Sequence, residues 1–150
     1  GMLYNAWQQR NGEWYYFRSW GAALNCGWSR IGIDWYWFNA DCTMAHDEWK
    51  TIDGNLYYLR SWGGMLYNAW QQRNGEWYYF RSWGGALNCG WSRIGIDWYW
   101  FDTDCTMAHD RWIRTGGNTY YVRSWGGRLY SQWAIIDGKR YYFRRDGTCA

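Results

Sequence analysis

Tryptophan recurs along the whole chain with a constant 21-residue period, and this regularity constrains the fold more than any other feature. A fixed period of about 20–50 residues is typical of repeat architectures, in which each unit buries its apolar face against its neighbours. Each such tryptophan is taken as position 0 of one of seven repeats, and residues 1–6 as the tail of a preceding one. We therefore interpret residues 1–150 as a single repeat array, truncated at both ends. The seven tryptophans are Trp7, Trp28, Trp49, Trp70, Trp91, Trp112 and Trp133.

A second period, equal to three repeats, lies on top of the first. Residues 1–49 recur almost unchanged at 64–112, so the offset between the two copies is 63 residues, or three repeats. A recent duplication of a three-repeat block, or deliberate engineering, would leave this pattern. The two copies differ at four positions, which are Ala22/Gly85, Asn39/Asp102, Ala40/Thr103 and Glu48/Arg111.

Each repeat carries a turn signal at positions +4 and +5, of Asn-Gly, Asp-Gly, Gly-Gly or Gly-Ile type. The first three pairs tolerate positive φ at both central residues of a type I′ turn, and Gly-Ile suits a type II′ turn. We therefore predict one β-hairpin per repeat, with strands at about positions 0 to +3 and +6 to +10. Because an isolated hairpin is only marginally stable, we expect the hairpins to stack into an all-β solenoid.

A two-residue loop also fixes which side chains share a face of each hairpin. Position 0 then pairs with +9 and +2 with +7, so these four positions lie on one face, opposite +1, +3, +6, +8 and +10. Position +8 is always Tyr and +10 is Phe, Leu or Val, which indicates packing along the array. Position +7 is Trp in four repeats but Arg140 in the last, so we place it at the surface.

The composition excludes several functional classes. Aromatic residues make up 25% of the chain and charged residues 19%, the opposite of a disordered sequence. No apolar run approaches the about 18–20 residues of a membrane-spanning helix, and the net charge of +3 is scattered, so neither membrane insertion nor nucleic-acid binding is expected. No catalytic or nucleotide-binding motif is present, and we interpret His46 and His109 as surface residues rather than metal ligands. We expect no enzyme, no metal and no cofactor.

Four hairpins carry two tryptophans on one face, at positions 0 and +7. Exposed indole pairs are unfavourable unless a ligand or partner covers them, and their π-faces attract cations, above all quaternary ammonium groups. A tyrosine from the next hairpin would close each pair into a cage. The alternative is that the pairs only pack between hairpins. The candidate ligand-binding residues are Trp7, Trp14 and Tyr36; Trp28, Trp35 and Tyr57; Trp70, Trp77 and Tyr99; and Trp91, Trp98 and Tyr120.

These motifs resemble the choline-binding, or cell-wall-binding, repeat family over the full chain. The resemblance is carried by Gly27-Trp28, by Trp14-Tyr15-Tyr16-Phe17, by Gly64-Met65 and by Cys105-Thr106-Met107. It implies a left-handed β-solenoid of hairpins in which the 63-residue block is one superhelical turn. It also implies a non-catalytic module that anchors a secreted or surface protein to choline on teichoic and lipoteichoic acids. The cages between consecutive hairpins would hold the choline.

The sequence departs from the family pattern at several positions, since three repeats lack the +7 tryptophan and the +16 methionine is Arg128 in the sixth repeat. Position +13, usually small and polar or acidic, is Trp in four repeats, and position +11 is often Arg, which would suit the phosphate beside choline. The added tryptophans would also suit flat sugar rings, so a carbohydrate module of α-glucan type is an alternative. A structural or self-associating array, such as a homodimer, is another. The added tryptophans are Trp20, Trp62, Trp83 and Trp125.

The five cysteines suggest an oxidising compartment. Cys26 and Cys42, and with the same spacing Cys89 and Cys105, lie just before and just after the strands of one hairpin. The hairpin should bring them within the about 4.4–6.8 Å Cα separation of a disulfide, so we predict that both pairs are bridged and that the protein is extracellular. The alternative is reduced thiols in the loops. Cys149 has no partner by this spacing.

Overall fold

The structure is a computed structural model, and it describes residues 6–150. Over that range it has 14 strands of five residues, paired into seven antiparallel hairpins, with no helix and hence no segment that could cross a membrane as a helix. The all-β class is confirmed, and the expected tail at 1–6 lies, apart from Ala6, outside the described residues. The hairpins are β1 Ala6–Arg10 with β2 Glu13–Phe17, β3 Gly27–Ile31 with β4 Asp34–Phe38, β5 Glu48–Ile52 with β6 Asn55–Leu59, β7 Ala69–Arg73 with β8 Glu76–Phe80, β9 Gly90–Ile94 with β10 Asp97–Phe101, β11 Arg111–Thr115 with β12 Asn118–Val122, and β13 Gln132–Ile136 with β14 Lys139–Phe143.

The turns and the strand register are as predicted. In the first hairpin Trp7 pairs with Tyr16 and Gln9 with Trp14, which is the pairing that a two-residue loop dictates. Positive φ occurs at both Asn11 and Gly12, as in type I′, whereas in the second hairpin it occurs at Gly32 but not at the following isoleucine, as in type II′. Each strand pair begins one residue earlier than expected, at position −1.

The described residues fall into two compact units. The first contains the described residues up to Ala69 together with Phe80–Ala86, and the second contains Trp70–Tyr79 together with Leu87–Ala150. Both units are built from the same hairpin and the same connecting loop. That residues 1–150 form one array stays a prediction.

Position +10 forms the core of each unit, as its uniform apolar character predicted. Phe38 and Leu59 in the first unit, and Phe101 and Val122 in the second, have no exposed surface. Burying an aliphatic or aromatic side chain of this size contributes about 1.5–3 kcal/mol. Position +10 therefore supplies fully buried side chains to the core of each unit, beside other buried residues such as Met44.

A short loop leads from each hairpin to the next and bonds back to the hairpin before. Position +16 forms a bridge with +10 of its own repeat, as between Met44 and Phe38. Its backbone N–H then donates to the carbonyl oxygen at +7 of the preceding repeat, as from Met44 to Trp14 at 2.9 Å. The same bond joins Met65 to Trp35, Ala86 to Leu56, Met107 to Trp77, Arg128 to Trp98 and Cys149 to Thr119.

The predicted disulfides are wrong. Within the described range Cys26, Cys42 and Cys89 are free thiols, so neither proposed bridge exists. The backbone does meet as expected, since the N–H groups of Cys26 and Cys42 both donate to the carbonyl of Asn39, at 3.3 and 2.9 Å. The side chains enter different surroundings, because Cys89 is exposed whereas Cys105 is buried.

Two of the four differences between the 63-residue copies form one ion pair. In the second unit Arg111 donates to both carboxylate oxygens of Asp102, at 2.6 and 3.2 Å, and this bond raises the pKa of Arg111. The corresponding residues of the first unit are Asn39 and Glu48, and the Asn39 amide donates instead to the Thr43 hydroxyl. The two substitutions together therefore create a pair of opposite charges that the first copy lacks.

We predict that Arg111→Glu destabilises the protein and that adding Asp102→Asn restores it. The single change leaves two carboxylates facing each other, whereas the double change recreates the residues of the first copy. Exposed pairs of this kind contribute about 0.2–1 kcal/mol. Urea unfolding at low and high salt measures the difference, which should shrink at high salt. Equal stability of the single and double variants would contradict the pairing.

Candidate functional site

The tryptophans at position +7 lie at the surface, as predicted. Trp14 and Trp77 are 38% and 41% exposed, and each stands almost perpendicular to the position 0 indole of its own hairpin. The ring centroids are 6.3 Å apart for Trp7 and Trp14 and 6.5 Å apart for Trp70 and Trp77. Two indoles at right angles form two walls of a corner that opens to solvent.

The tyrosine at position +8 of the next hairpin supplies a third wall. The Tyr36 ring lies 4.9 Å from Trp7, and Tyr99 lies 5.0 Å from Trp70. Burial, and then the charge of Asp34, raises the pKa of Tyr36, so its hydroxyl stays neutral at physiological pH. The other two predicted trios also meet, with Tyr57 at 5.0 Å from Trp28 and Tyr120 at 5.1 Å from Trp91.

Two further side chains line these corners, and neither was among the predicted site residues. In the first cage, a cavity of 320 Å³, Met44 and Trp62 join the predicted trio. Met44 comes from position +16 of the next repeat, and Trp62 from position +13 of the repeat after that. The Trp62 ring stands at 71° to Tyr36, with centroids 6.2 Å apart. Three successive repeats therefore build one cage.

The same five positions recur in two other cavities. The second cage, a cavity of 690 Å³, extends further, over Arg30 and Tyr67. The third cage, a cavity of 370 Å³, is the counterpart of the first in the second copy of the three-repeat block. The five shared positions are occupied by Trp28, Trp35, Tyr57, Met65 and Trp83 in the second cage, and by Trp70, Trp77, Tyr99, Met107 and Trp125 in the third.

Paired glycines make room for the methionine and the added tryptophan. A Cβ at Gly63 would collide with the Met44 sulfur, and one at Gly64 would collide with the Trp62 ring. Gly63 also has a φ of 97°, which favours glycine on its own. Gly64 has no positive φ, so space alone favours glycine there.

The sequence contains a signal for the methionine and the added tryptophan of each cage. Where position +16 is methionine, as in Met44, Met65 and Met107, position +13 of the following repeat is tryptophan. Where position +16 is Ala or Arg, position +13 of the following repeat is Asp. This covariation indicates contact between the connecting loops of consecutive repeats. Trp20, the remaining added tryptophan, is 67% exposed.

The fourth predicted trio meets, but a cation from the chain lies on it. The guanidinium carbon of Arg128 is 4.9 Å from the ring centroid of Trp91, 5.3 Å from Trp98 and 5.2 Å from Tyr120. Arg128 occupies position +16, where the other three cages have methionine. We call Trp91, Trp98, Tyr120 and Arg128 the fourth cage.

The arginines at position +11 stack on the added tryptophans. The Arg60 guanidinium carbon lies 5.2 Å from the Trp62 ring centroid, and the guanidinium donates to the carbonyl of Met65 at 3.4 Å. Arg81 on Trp83 and Arg123 on Trp125 repeat the stacking at 5.3 and 5.2 Å. These cations therefore support the outer wall of a cage.

The two histidines pair with carboxylates at the surface. His46 lies 3.3 Å from Glu13, and His109 lies 3.4 Å from Glu76. No group of three or more potential metal ligands occurs among residues 6–150.

Comparison with known proteins identifies related repeats. A family model described as a choline-binding repeat matches residues 26–70, and one described as a cell wall binding repeat matches 5–23, 68–86, 110–127 and 131–149. No curated protein sequence matches the chain.

Solved structures share the fold. The choline-binding domain of CbpL from Streptococcus pneumoniae is 30% identical, with a TM-score of 0.84 over 99% of this chain and 78% of that one. Choline binding protein F of the same organism, solved with a peptidoglycan analogue, is 30% identical, with a TM-score of 0.77 over 97% of this chain and 46% of that one. The modular autolysin LytC, also pneumococcal and solved with a synthetic peptidoglycan ligand, is 25% identical, with a TM-score of 0.83 over 99% of this chain and 34% of that one. The hairpin-solenoid class is thereby confirmed, and the chain spans less than half the length of the latter two proteins.

We predict that Gly64→Ala displaces the Trp62 ring from the first cage while the fold persists, because the added methyl group occupies the space of the ring. The change should appear as a shifted indole N–H resonance, assigned with Trp62→Phe, and as increased exposure of Trp62. Gly127→Ala should do the same to Trp125 in the third cage. An unchanged Trp62 resonance would contradict this packing.

Proposed function

Because this chain belongs to the choline-binding, or cell wall binding, repeat family, we propose that it anchors a protein to the cell surface by holding choline of teichoic and lipoteichoic acids in its aromatic cages. The chain is a cell wall binding repeat module. We further propose that the module acts outside the cell and has no catalytic role.

The chemistry of the cage walls supports the proposal. None of the side chains that line the first and third cages carries a carboxylate, so the attraction for a cation comes from the π-faces of the rings. A primary ammonium group would lose its hydrogen bonds to water on entering such a site. A trimethylammonium group donates no hydrogen bond and presents methyl groups to the rings and to the methionine. The site therefore favours quaternary over primary amines.

Several weak sites on one chain would act together on a polymeric ligand. Each ring that contacts the cation contributes about 0.5–2 kcal/mol, rising with desolvation, which gives modest affinity per cage. Teichoic acid repeats its choline along the polymer, so one occupied cage raises the local ligand concentration for the next. Avidity would then hold the protein at the wall.

We predict that Trp14→Ala and Trp77→Ala each remove one choline site, in the first and third cages. Loss of one wall removes about 0.5–2 kcal/mol of cation–π attraction, a weakening of about 2–30-fold that takes a site of this modest affinity out of the count of detectable sites. Calorimetric titration measures the number of sites, and circular dichroism should show intact hairpins in both variants.

Trp20→Ala is the control, because this exposed indole should leave choline binding unchanged. A neutral analogue of choline with carbon in place of nitrogen should not bind, since it lacks the charge. Binding of an α-glucan in place of choline would favour the carbohydrate alternative, and concentration-dependent dimers without a response to either would favour self-association. Both alternatives stay predictions. Unfolding of Trp14→Ala would show that the indole is core rather than site.

A further inference from the structure

The fourth cage differs from the other three in what fills it. Arg128 extends from the backbone position of the cage methionine, since its N–H donates to the Trp98 carbonyl at 3.0 Å just as that of Met107 donates to Trp77 at 2.9 Å. The glycine that makes room is also kept, because a Cβ at Gly147 would collide with the Arg128 side chain. The side chain therefore follows the methionine path and places a cation among the rings.

The contacts of Arg128 are those of a cation bound in an aromatic cage. Its guanidinium carbon lies within 5.3 Å of the centroids of three rings, and its Nε is buried with no hydrogen-bond acceptor among the described residues. Such a burial is unfavourable for a charged donor unless the π-faces compensate for it. Trp98 remains 38% exposed, so the cage is open on its outer side but occupied within.

The fourth cage also differs from the other three in a charged residue near Arg128. Position +13 of the following repeat is Asp146, where the other cages have a tryptophan. Burial lowers the pKa of Arg128, while the charges of Tyr120 and Asp146 oppose this shift. In turn, hydrogen bonds from Thr148, and more weakly the charges of Arg144 and Arg128, lower the pKa of Asp146. A carboxylate thus replaces an aromatic wall near the half-buried guanidinium.

We propose that Arg128 is a built-in substitute for the cationic ligand, so that the fourth cage is closed to choline and the chain binds one ligand fewer than its four tryptophan pairs suggest. This inference rests on the proposed function. A tethered guanidinium competes at a high effective concentration against a weakly bound free ligand. A second cation entering the same cage would also meet its charge.

The test counts choline sites in the wild-type chain and in two matched variants by calorimetry and equilibrium dialysis. Arg128→Met recreates the residue found in the other cages, so it should add one site. Met107→Arg places the same side chain into the third cage, where Gly126 leaves the same space, so it should remove one site. Both variants should keep the β spectrum of the wild type.

A second measurement does not depend on the folding of the arginine variant. In the wild-type background Trp98→Ala should leave the number of choline sites unchanged, whereas Trp77→Ala should lower it by one. In the Arg128→Met background Trp98→Ala should remove the added site.

The outcomes separate this inference from the proposed function. Loss of a choline site in Trp98→Ala alone, or an unchanged number of sites in folded Arg128→Met, would overturn the role of Arg128 and leave the other three cages intact. No choline binding by the wild-type chain would overturn the proposed function and this inference with it.

Discussion

One backbone hydrogen bond per repeat sets the geometry of every cage. The N–H at position +16 donates to the carbonyl at +7 of the preceding repeat, at 2.7–3.0 Å in the six instances among the described residues. The residue at +7 carries one indole of the cage and the residue at +16 carries the methionine or arginine that lines it, so this bond brings the two positions together whatever their side chains. Since it uses only main-chain atoms, it persists where the side chains change. Sequence variation can therefore alter a cage without altering the hairpin stack inside a compact unit.

The loop residues vary as matched sets around that bond. Where +16 is long, as in Met44, position +14 of the next repeat is glycine, and where +16 is alanine, as in Ala23, that position is cysteine. Where position +13 is tryptophan, position +15 is glycine in three of the four repeats, and where +13 is Asp, +15 is Thr. In the Asp loops, as at Asp41, the carboxylate accepts hydrogen bonds from the backbone and the hydroxyl of the threonine, at 3.0 and 2.6 Å for Thr43. A loop with tryptophan at +13 provides an aromatic wall, whereas a loop with Asp there is closed by its own polar turn. Each repeat therefore encodes part of a cage formed with its predecessors.

Local rules were sufficient for the hairpins, and they failed where contacts join separate repeats. The turn pairs Asn11-Gly12 and Gly32-Ile33 set the register, and the variable +7 and uniform +10 positions then placed Trp14 at the surface and Phe38 in the core. Met44 and Trp62 reach the cage from one and two repeats further along, a distance that depends on how hairpins stack and not on strand pairing. The cysteine prediction failed although proximity of the backbone was correct, since Cys26 and Cys42 are free thiols and both have left-handed φ values that the spacing argument did not include. The covariation of +16 with +13 of the following repeat was the available signal for the missing walls.

The number of tryptophan pairs and the number of cages open to a ligand need not agree, because a π-face does not distinguish a bound cation from a tethered one. A second guanidinium of this kind occurs at the last hairpin, where Arg140 takes the +7 position and lies 4.3 Å from the centroid of Trp133. In both places the chain covers an indole with its own arginine, whereas Trp7, Trp28 and Trp70 meet a thioether in that role. A thioether is uncharged and leaves the rings available to a cation, and a guanidinium occupies them. If the proposed role of Arg128 holds, the residue at position +16 decides whether an aromatic corner can take a ligand or is filled by the chain itself.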